Sequence, residues 1–389
     1  MSIIYAFLGM YFMYSLPIGA GDEGLFIADI EFINRHGWFN AIKKGISVPH
    51  SILAYPLSLI FEPFIALRLL NIILLVILYG YFYYRNKPTV TFFIYLTFFI
   101  GTCKVFFMGT NDSLFVVCLA IFFNEVHQFN LNKTWGQSLA LSVLLICIFT
   151  RALIVMYLPA VLICLFYIYR IKGFSKRGYV IPVFAFMVFM LMNLPAIAAN
   201  GKLSYDRKSP PEDVNVSWAQ RQYLAQLMVN EGKLSNYQHP SFKATQDYVD
   251  KNGERSLPKT LFQGVLFNPI LTIKEFFKDA ADILKYGTRQ LGLILIIVLG
   301  YLMQRMLKRK IFDFENSIPI ALLITIAAFA LIIISFIELR WFVGIFISTI
   351  VFYTFLEQTN KTSKLMSKLN LLTITLLMIY GTVKIIPQL

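Results

Sequence analysis

Two adjacent carboxylates, Asp22 and Glu23, follow an oily N-terminal segment with almost no gap, in the stretch GAGDEGLFIADIEFINRHGW. Carboxylates in such a place can cap a helix, hold a cation or take a proton from a hydroxyl. Other charges sit at similarly abrupt points. Asp112 lies in the tight link MGTNDS, Arg151 in FTRAL, and Glu338 and Arg340 in SFIELRWF. Asp29 is close to the first pair, and Arg68 and Lys104 lie slightly deeper. Guanidinium and ammonium groups are the usual partners of phosphate. Ionisable groups in or beside membrane spans are costly, by about 2.5–3.5 kcal/mol at the span centre, so they turn toward protein or a water-filled cavity. Charges from such separate junctions at one depth point to a single polar cavity.

Plainer readings stand beside this one. Asp22 can cap a helix starting near Gly24, with Glu23 favourable in its first turn. Asp112 can cap a later helix, Arg151 and Arg340 can snorkel to headgroups, and Glu338 can clamp Arg340. A cap and a chemical role are compatible, because a helix N-terminus also favours the ionised carboxylate. His36, His50 and His239 read as amphipathic surface residues. A divalent cation near Asp22 and Glu23 is the one cofactor left open, and no other metal site is indicated.

The elements that must position these groups are membrane spans. The chain has 389 residues, of which 58% are hydrophobic and 16% aromatic. Long apolar runs recur from end to end, giving about eleven spans. Their limits are near 2–20, 63–84, 89–108, 113–126, 136–150, 152–169, 179–199, 287–303, 317–337, 341–357 and 369–387. The net charge of +14 does not signal nucleic acid, because the excess sits in short loops between spans. RNK, HQFNLNK, RIKGFSKR, QRMLKRK and NKTSKLMSK then all fall on one side, the cytoplasmic one by the positive-inside rule. The N-terminus is inside and the carboxylate pair outside. The expected fold is an all-α integral membrane protein. It has an N-terminal membrane module (1–199) containing a first outer loop (21–62), an outer helical loop (200–286) and C-terminal membrane helices (287–389). In the outer loop, SWAQRQYLAQLMVNEG places Trp218, Leu224, Leu227 and Met228 on one side. NPILTIKEFFKDAADILKYG starts a helix at Pro269, with Ile273, Phe276, Phe277 and Leu284 as its apolar face, lying on the bilayer or capping the bundle. The four cysteines all fall inside spans, and neither a disulfide nor a zinc site is inferred from them.

No nucleotide-binding or hydrolase motif occurs, and the inner loops offer only short basic stretches. Chemistry on the outer side has no nucleotide sugar or ATP available, so its donor must come through the membrane on a lipid. The segment GDEGLFIADIEFINRHGWFNAIKKGISVPHSILAYPLSLIF resembles the first outer loop of the GT-C glycosyltransferases, which include protein O-mannosyltransferases and the aminoarabinose transferases of lipid A. FIALRLLNIILLVILYGYFYYR resembles the family's second span, with Arg68 at its characteristic place. TNDSLFVVCLAIFF, TRALIVMYLPAVL and ELRWFVGIFIS resemble later landmarks, with Trp341 where the family has Tyr. The likeness is strongest over residues 1–170, and Pro49-His50 and Tyr55-Pro56 stand where the family often has Pro-Pro.

The resemblance implies a GT-C-like transferase of the plasma (inner) membrane, using a polyprenyl-phosphate sugar donor and a glycan, lipid or protein acceptor. Asp22 matches the family's catalytic base, with Glu23 orienting it or the acceptor. Arg151 and Arg340 are the implied cations for the leaving lipid phosphate, backed by Lys104 and Arg68. Asp112 is a candidate for acceptor hydroxyls, and the YDRK stretch (205–208) for closure over the phosphate. Two other classes remain, an O-antigen-type polymerase and a transporter of lipid-linked oligosaccharide. The first has no acidic pair directly after its first span. The second requires inverted repeats and charges in both leaflets, whereas the charges here are expected on one side.

Overall fold

The computed structural model describes residues 1–133, 135–205, 214–310 and 313–388. All regular structure among them is helical. The N-terminal half contains α1 (Ser2–Ser15), α2 (Glu23–Lys44), α3 (Val48–Ser58), α4 (Pro63–Asn86), α5 (Val90–Cys103), α6 (Asp112–Asn132), α7 (Gln137–Thr150), α8 (Ile154–Arg170) and α9 (Val180–Asn200). Next come α10 (Trp218–Asn230), α11 (Phe242–Asn252), α12 (Leu261–Phe267) and α13 (Pro269–Leu291). The C-terminal part contains α14 (Ile294–Leu307), α15 (Ser317–Ala330), α16 (Val343–Gln358) and α17 (Lys364–Ile385). Five helical stretches are long and apolar enough to cross a membrane: Pro63–Asn86, Asp112–Asn132, Arg177–Asn200, Leu339–Gln358 and Lys364–Ile385. The remaining apolar segments are shorter helices, α1, α5, α7, α8, α14 and α15. The apolar helices point to a membrane protein.

The described chain forms two compact units. The first comprises Met1–Asp206, Gly287–Leu323 and Arg340–Leu389. Its centre is α6, packed against α4, α7 and α16. The apolar window of α6 is 89% buried, against 17% for those of α9 and α17. All three are apolar around their circumference, so only position separates them: α6 is wrapped by protein, while α9 and α17 leave their apolar sides to the surroundings.

Helix ends depart from the apolar runs where local chemistry intervenes. The first run continues to residue 20, yet α1 stops at Ser15, because Leu16 precedes Pro17 and is extended (ψ 151°). Gly37 interrupts α2 with φ 76°, a conformation open to glycine at little cost. The run expected over 287–303 is divided at Gly292 between α13 and α14. The run expected over 317–337 leaves the helix after Ala330. Its Ile332, Ile333 and Ile334 are β-branched, hence weak helix formers, and all are buried.

The second unit comprises Arg207–Tyr286 and Ile324–Leu339. Val216, Tyr223, Leu224, Val249, Leu257 and Ile333 form its core, with Leu227 and Met228 packed on it. A reciprocal capping box between Ser217 and Gln220 starts α10. Helix α13 begins at Pro269, where the missing N–H costs nothing, and its first half is amphipathic in an inverted sense. It buries Thr272, Glu275 and Asp279, while Ile270, Ile273 and Phe277 are exposed. A large exposed apolar face of this kind suits a lipid surface. A nitroxide at Ile273→Cys should therefore be relaxed more by oxygen than by a water-soluble nickel complex, with the reverse at exposed Lys251→Cys on the polar helix α11. Equal behaviour at both positions would remove the lipid contact.

Candidate functional site

The first junction splits the carboxylate pair. Asp22 occupies the cap position of α2, yet its side chain makes no capping hydrogen bond. Its Oδ2 instead accepts from Arg340 Nη2 at 2.6 Å. Glu23, one residue on, projects in another direction because successive helical residues are about 100° apart. Arg68 grips it bidentately, Nε to Oε1 at 2.7 Å and Nη2 to Oε2 at 2.8 Å. The backbone amides of Gly109 and Gly19 donate to the same carboxylate at 2.9 and 3.2 Å. Glu23 is 2% exposed. The fit leaves no room for a larger residue at 109, where a Cβ would stand 2.8 Å from Glu23 Oε1.

Burial by itself would raise the Glu23 carboxyl. The Arg68 hydrogen bonds and charge, with the Gly109 and Gly19 amides, outweigh it and hold the group below its ordinary value. The resulting stability is complete above the unfolded-state value and is lost as pH falls through the lower folded-state value. Removing one partner from such a buried pair costs about 3–5 kcal/mol. Glu23→Gln should therefore lower the unfolding midpoint at neutral pH and flatten its decline below about pH 4.5. An acid limb identical to that of the parent chain would exclude Glu23 from this role.

The second junction presents Asp112. The turn before α6 is held by Asn71, whose Nδ2 donates to the carbonyls of Met108 and Thr110, the latter at 2.9 Å. Asp112 sits in the first turn of α6 and is buried. Its carboxylate pairs with Arg151, which ends α7 in an extended conformation (φ −148°, ψ 137°). It also accepts from Arg340 Nη1 at 3.2 Å and from Thr110 Oγ1 at 3.4 Å. Arg340 lies in the short 3₁₀ turn Leu339–Phe342 leading into α16.

One guanidinium thus bridges two carboxylates, Asp22 and Asp112, and a second guanidinium, Arg151, backs the inner one. The cluster is open on one side. The side chains of Asp22 and Arg340 are 21% and 23% exposed, against 5% for Asp112. Arg68 is drawn into the neighbouring Glu23 pair, with Tyr14 stacked 5.1 Å from its guanidinium. Lys104 ends α5, just before the Met108–Asn111 turn, with its Nζ 4.0 Å from the Phe12 ring centre. It pairs with no carboxylate among the described residues. Glu338 belongs to the second unit.

The three outer histidines separate. His36 is exposed on α2. His239 hydrogen-bonds Ser335 at 3.1 Å in the second unit. His50 is not the surface residue its lone occurrence suggests: it is buried against Phe26 in α3. Burial pushes its imidazole down to about 4, partly opposed by Asn71, so it is neutral in the fold. Among the described residues no three His, Cys, Asp or Glu side chains converge as a metal cage, and both Glu23 oxygens are taken. Cys103, Cys118, Cys147 and Cys164 are all free thiols. Residues 206–208 of the YDRK stretch lie outside the described residues, while Tyr205 Oη donates to the Ile148 carbonyl at 2.7 Å.

The expectation that buried charge lies at one end only needs correction. Glu125, near the other end of α6, is fully buried. It accepts from Arg85 Nε and Nη2, both at 2.8 Å, from Tyr81 Oη at 2.7 Å and from the Gly136 amide at 2.6 Å. With every bond satisfied, this pair ties the ends of α4, α6 and α7 together. The reading of the sequence also passed over Asn71, although it is a lone amide in LRLLNIILLVIL, three residues from Arg68 and hence on the same helix face.

Set against protein-family models, curated proteins and solved structures, the chain matches none.

Proposed function

We propose that this chain is a membrane glycosyltransferase. In this reading it moves a sugar from a polyprenyl-phosphate-linked donor to a hydroxyl acceptor on the extracytoplasmic face, inverting the anomeric centre. The observation that carries the reading is the Arg340 bridge between Asp22 and Asp112. Direct displacement at an anomeric carbon needs a carboxylate for the acceptor proton and fixed cations for the departing phosphate. Asp22 and Arg340 supply both in contact, on the open side of the cluster.

The ion pair must open before Asp22 can act. A lipid phosphate offers Arg340 a bidentate partner that competes with Asp22. On donor binding Arg340 turns to the phosphate while Asp112 keeps hold of its other nitrogen and of Arg151. Asp22, released by Arg340, then takes the acceptor's proton as the acceptor oxygen bonds to the anomeric carbon. The bond from that carbon to the phosphate oxygen breaks, and its electron pair leaves with the lipid phosphate, facing Arg340, with Arg151 behind it through Asp112. Lys104, the uncompensated cation nearby in sequence, adds positive potential. Glu23 and Arg68 keep the α2 start and the 108–111 turn in register, a positioning role rather than a chemical one.

Sidedness follows from the basic loops, which all lie opposite Asp22 under an eleven-span topology in the plasma (inner) membrane. The order of motifs along the chain, similar to that of GT-C enzymes, supports the same reading. Mass spectrometry of surface glycans and glycolipids, with and without the protein, tests it. One sugar residue should be missing from one class of product in the cells without it. Unchanged glycans together with a build-up of untranslocated lipid-linked oligosaccharide would favour a transporter instead.

A further inference from the structure

The second unit contains a cleft with its own polar chemistry. It lies between the C-terminal half of α13 and the irregular segment at 331–338, and its walls include Asn236, Asp279, Asp282, Tyr286, Ser335 and Phe336. The whole cleft, mouth included, measures about 340 Å³. Its enclosed part is about 20 Å³, room for one water-sized group. Asp279 is 7% exposed, and its Oδ2 has no hydrogen-bond partner. Buried polar atoms are rarely left so, and each needs a reason. Lys278, the cation on the wall, is committed elsewhere: it bonds Glu275 Oε2 at 3.0 Å, while Asn230 satisfies Glu275 Oε1 at 2.9 Å. Asp279 and Asp282 therefore pair with no cation among the described residues.

We propose that this cleft binds a primary ammonium group carried on a small organic molecule, with the ammonium between Asp279 and Asp282 and the carbon skeleton along Phe336. Two uncompensated carboxylates call for a cation. A pocket of one water's volume admits an ammonium head and no larger one. A divalent metal is disfavoured, since no three carboxylate or imidazole side chains converge among the described residues. A carbon skeleton fits the rest of the cleft, where Phe336 packs on Tyr237 at 4.5 Å between ring centres and Ile337 adds apolar surface. Ser335, oriented by His239, and Asn236 offer acceptor oxygens for the remaining N–H groups. Burial, reinforced by the Glu275 and Asp282 charges and opposed by Lys278, pushes the Asp279 carboxyl up to about 7. An arriving cation relieves that strain.

The test is thermal unfolding of the full chain in lipid nanodiscs, titrated separately with propylammonium chloride, propanol and potassium chloride at constant ionic strength. Propylammonium should raise the unfolding midpoint saturably, as a ligand of the folded state does. Propanol and potassium should not. Asp279→Asn should weaken the apparent affinity at least about tenfold, the scale of a lost charged hydrogen bond. Asp282→Asn, at a less buried position, should weaken it less and guards against misfolding of the first variant. An equal rise with propanol would make the pocket a site for hydroxyls or water. An equal rise with potassium would make it an inorganic cation site. Either result, or unchanged binding by both variants, overturns the proposal.

Discussion

If the proposed transfer is this chain's activity, Asp22→Asn should leave the chain folded and membrane-inserted and lower sugar transfer by about two to four orders of magnitude, the span over which a positioned general base contributes. Folding survives because the asparagine side-chain oxygen still accepts from Arg340 Nη2, and because Asp22 makes no capping bond to α2 that could be lost. Transfer should not survive, because an amide cannot take the acceptor's proton. The contrast with Glu23 sharpens the test. Glu23→Gln disrupts a four-bonded buried anchor and should act mainly on stability. Asp22→Asn should act mainly on turnover. Membrane-inserted Asp22→Asn protein that restores the missing sugar at the parent rate would remove Asp22 as the base.

Arg340→Lys and Arg340→Ala should both cut transfer, the alanine variant by about two to three orders of magnitude, as when one fixed donor to a developing anion is deleted. Lysine keeps the charge but is a point donor and cannot span Asp22 and Asp112 together, so it should recover only part of the loss. The defect should fall on use of the lipid donor more than on the acceptor. Arg151→Ala should shift donor use in the same direction by a smaller amount, since Arg151 reaches the site through the Asp112 it backs. Kinetics that show an acceptor defect alone would contradict the phosphate role of both arginines.

Much of the architecture was readable from apolar periodicity, because a helix in lipid must satisfy its own backbone and so shows itself as an apolar run. Each such run contains a helix, five of them long enough to span a bilayer. Their ends were less readable. Pro17 and the isoleucines at 332–334 end helices within runs that stay largely apolar, because backbone sterics rather than hydropathy decide there. Amphipathic spacing along α13 was plain, but not which face is buried; in the first half of the helix the buried stripe is the polar one, Thr272, Glu275 and Asp279, and it turns apolar only at Ile283 and Leu291.

At the site, residue type and abrupt placement singled out Asp22, Asp112, Arg151 and Arg340. Pairing was beyond reach, since Asp22 and Arg340 are 318 positions apart and only packing brings them together. Adjacent Asp22 and Glu23 read as one unit in the sequence, yet they serve different arginines. Glycine and asparagine supports such as Gly109 and Asn71 carry no charge to draw attention and act through backbone contacts. Glu125 escaped notice because a buried, fully bonded carboxylate in an apolar helix leaves no periodic signature.

The most direct measurement is a high-resolution structure of the full chain in lipid with a polyprenyl phosphate bound. Phosphate oxygens should lie within hydrogen-bond distance of Arg340, with the Arg340–Asp22 contact broken, Asp22 facing an open space beside the phosphate, and Asp112 still holding Arg340 and Arg151. A phosphate bound elsewhere, with the Asp22–Arg340 ion pair intact, would contradict it.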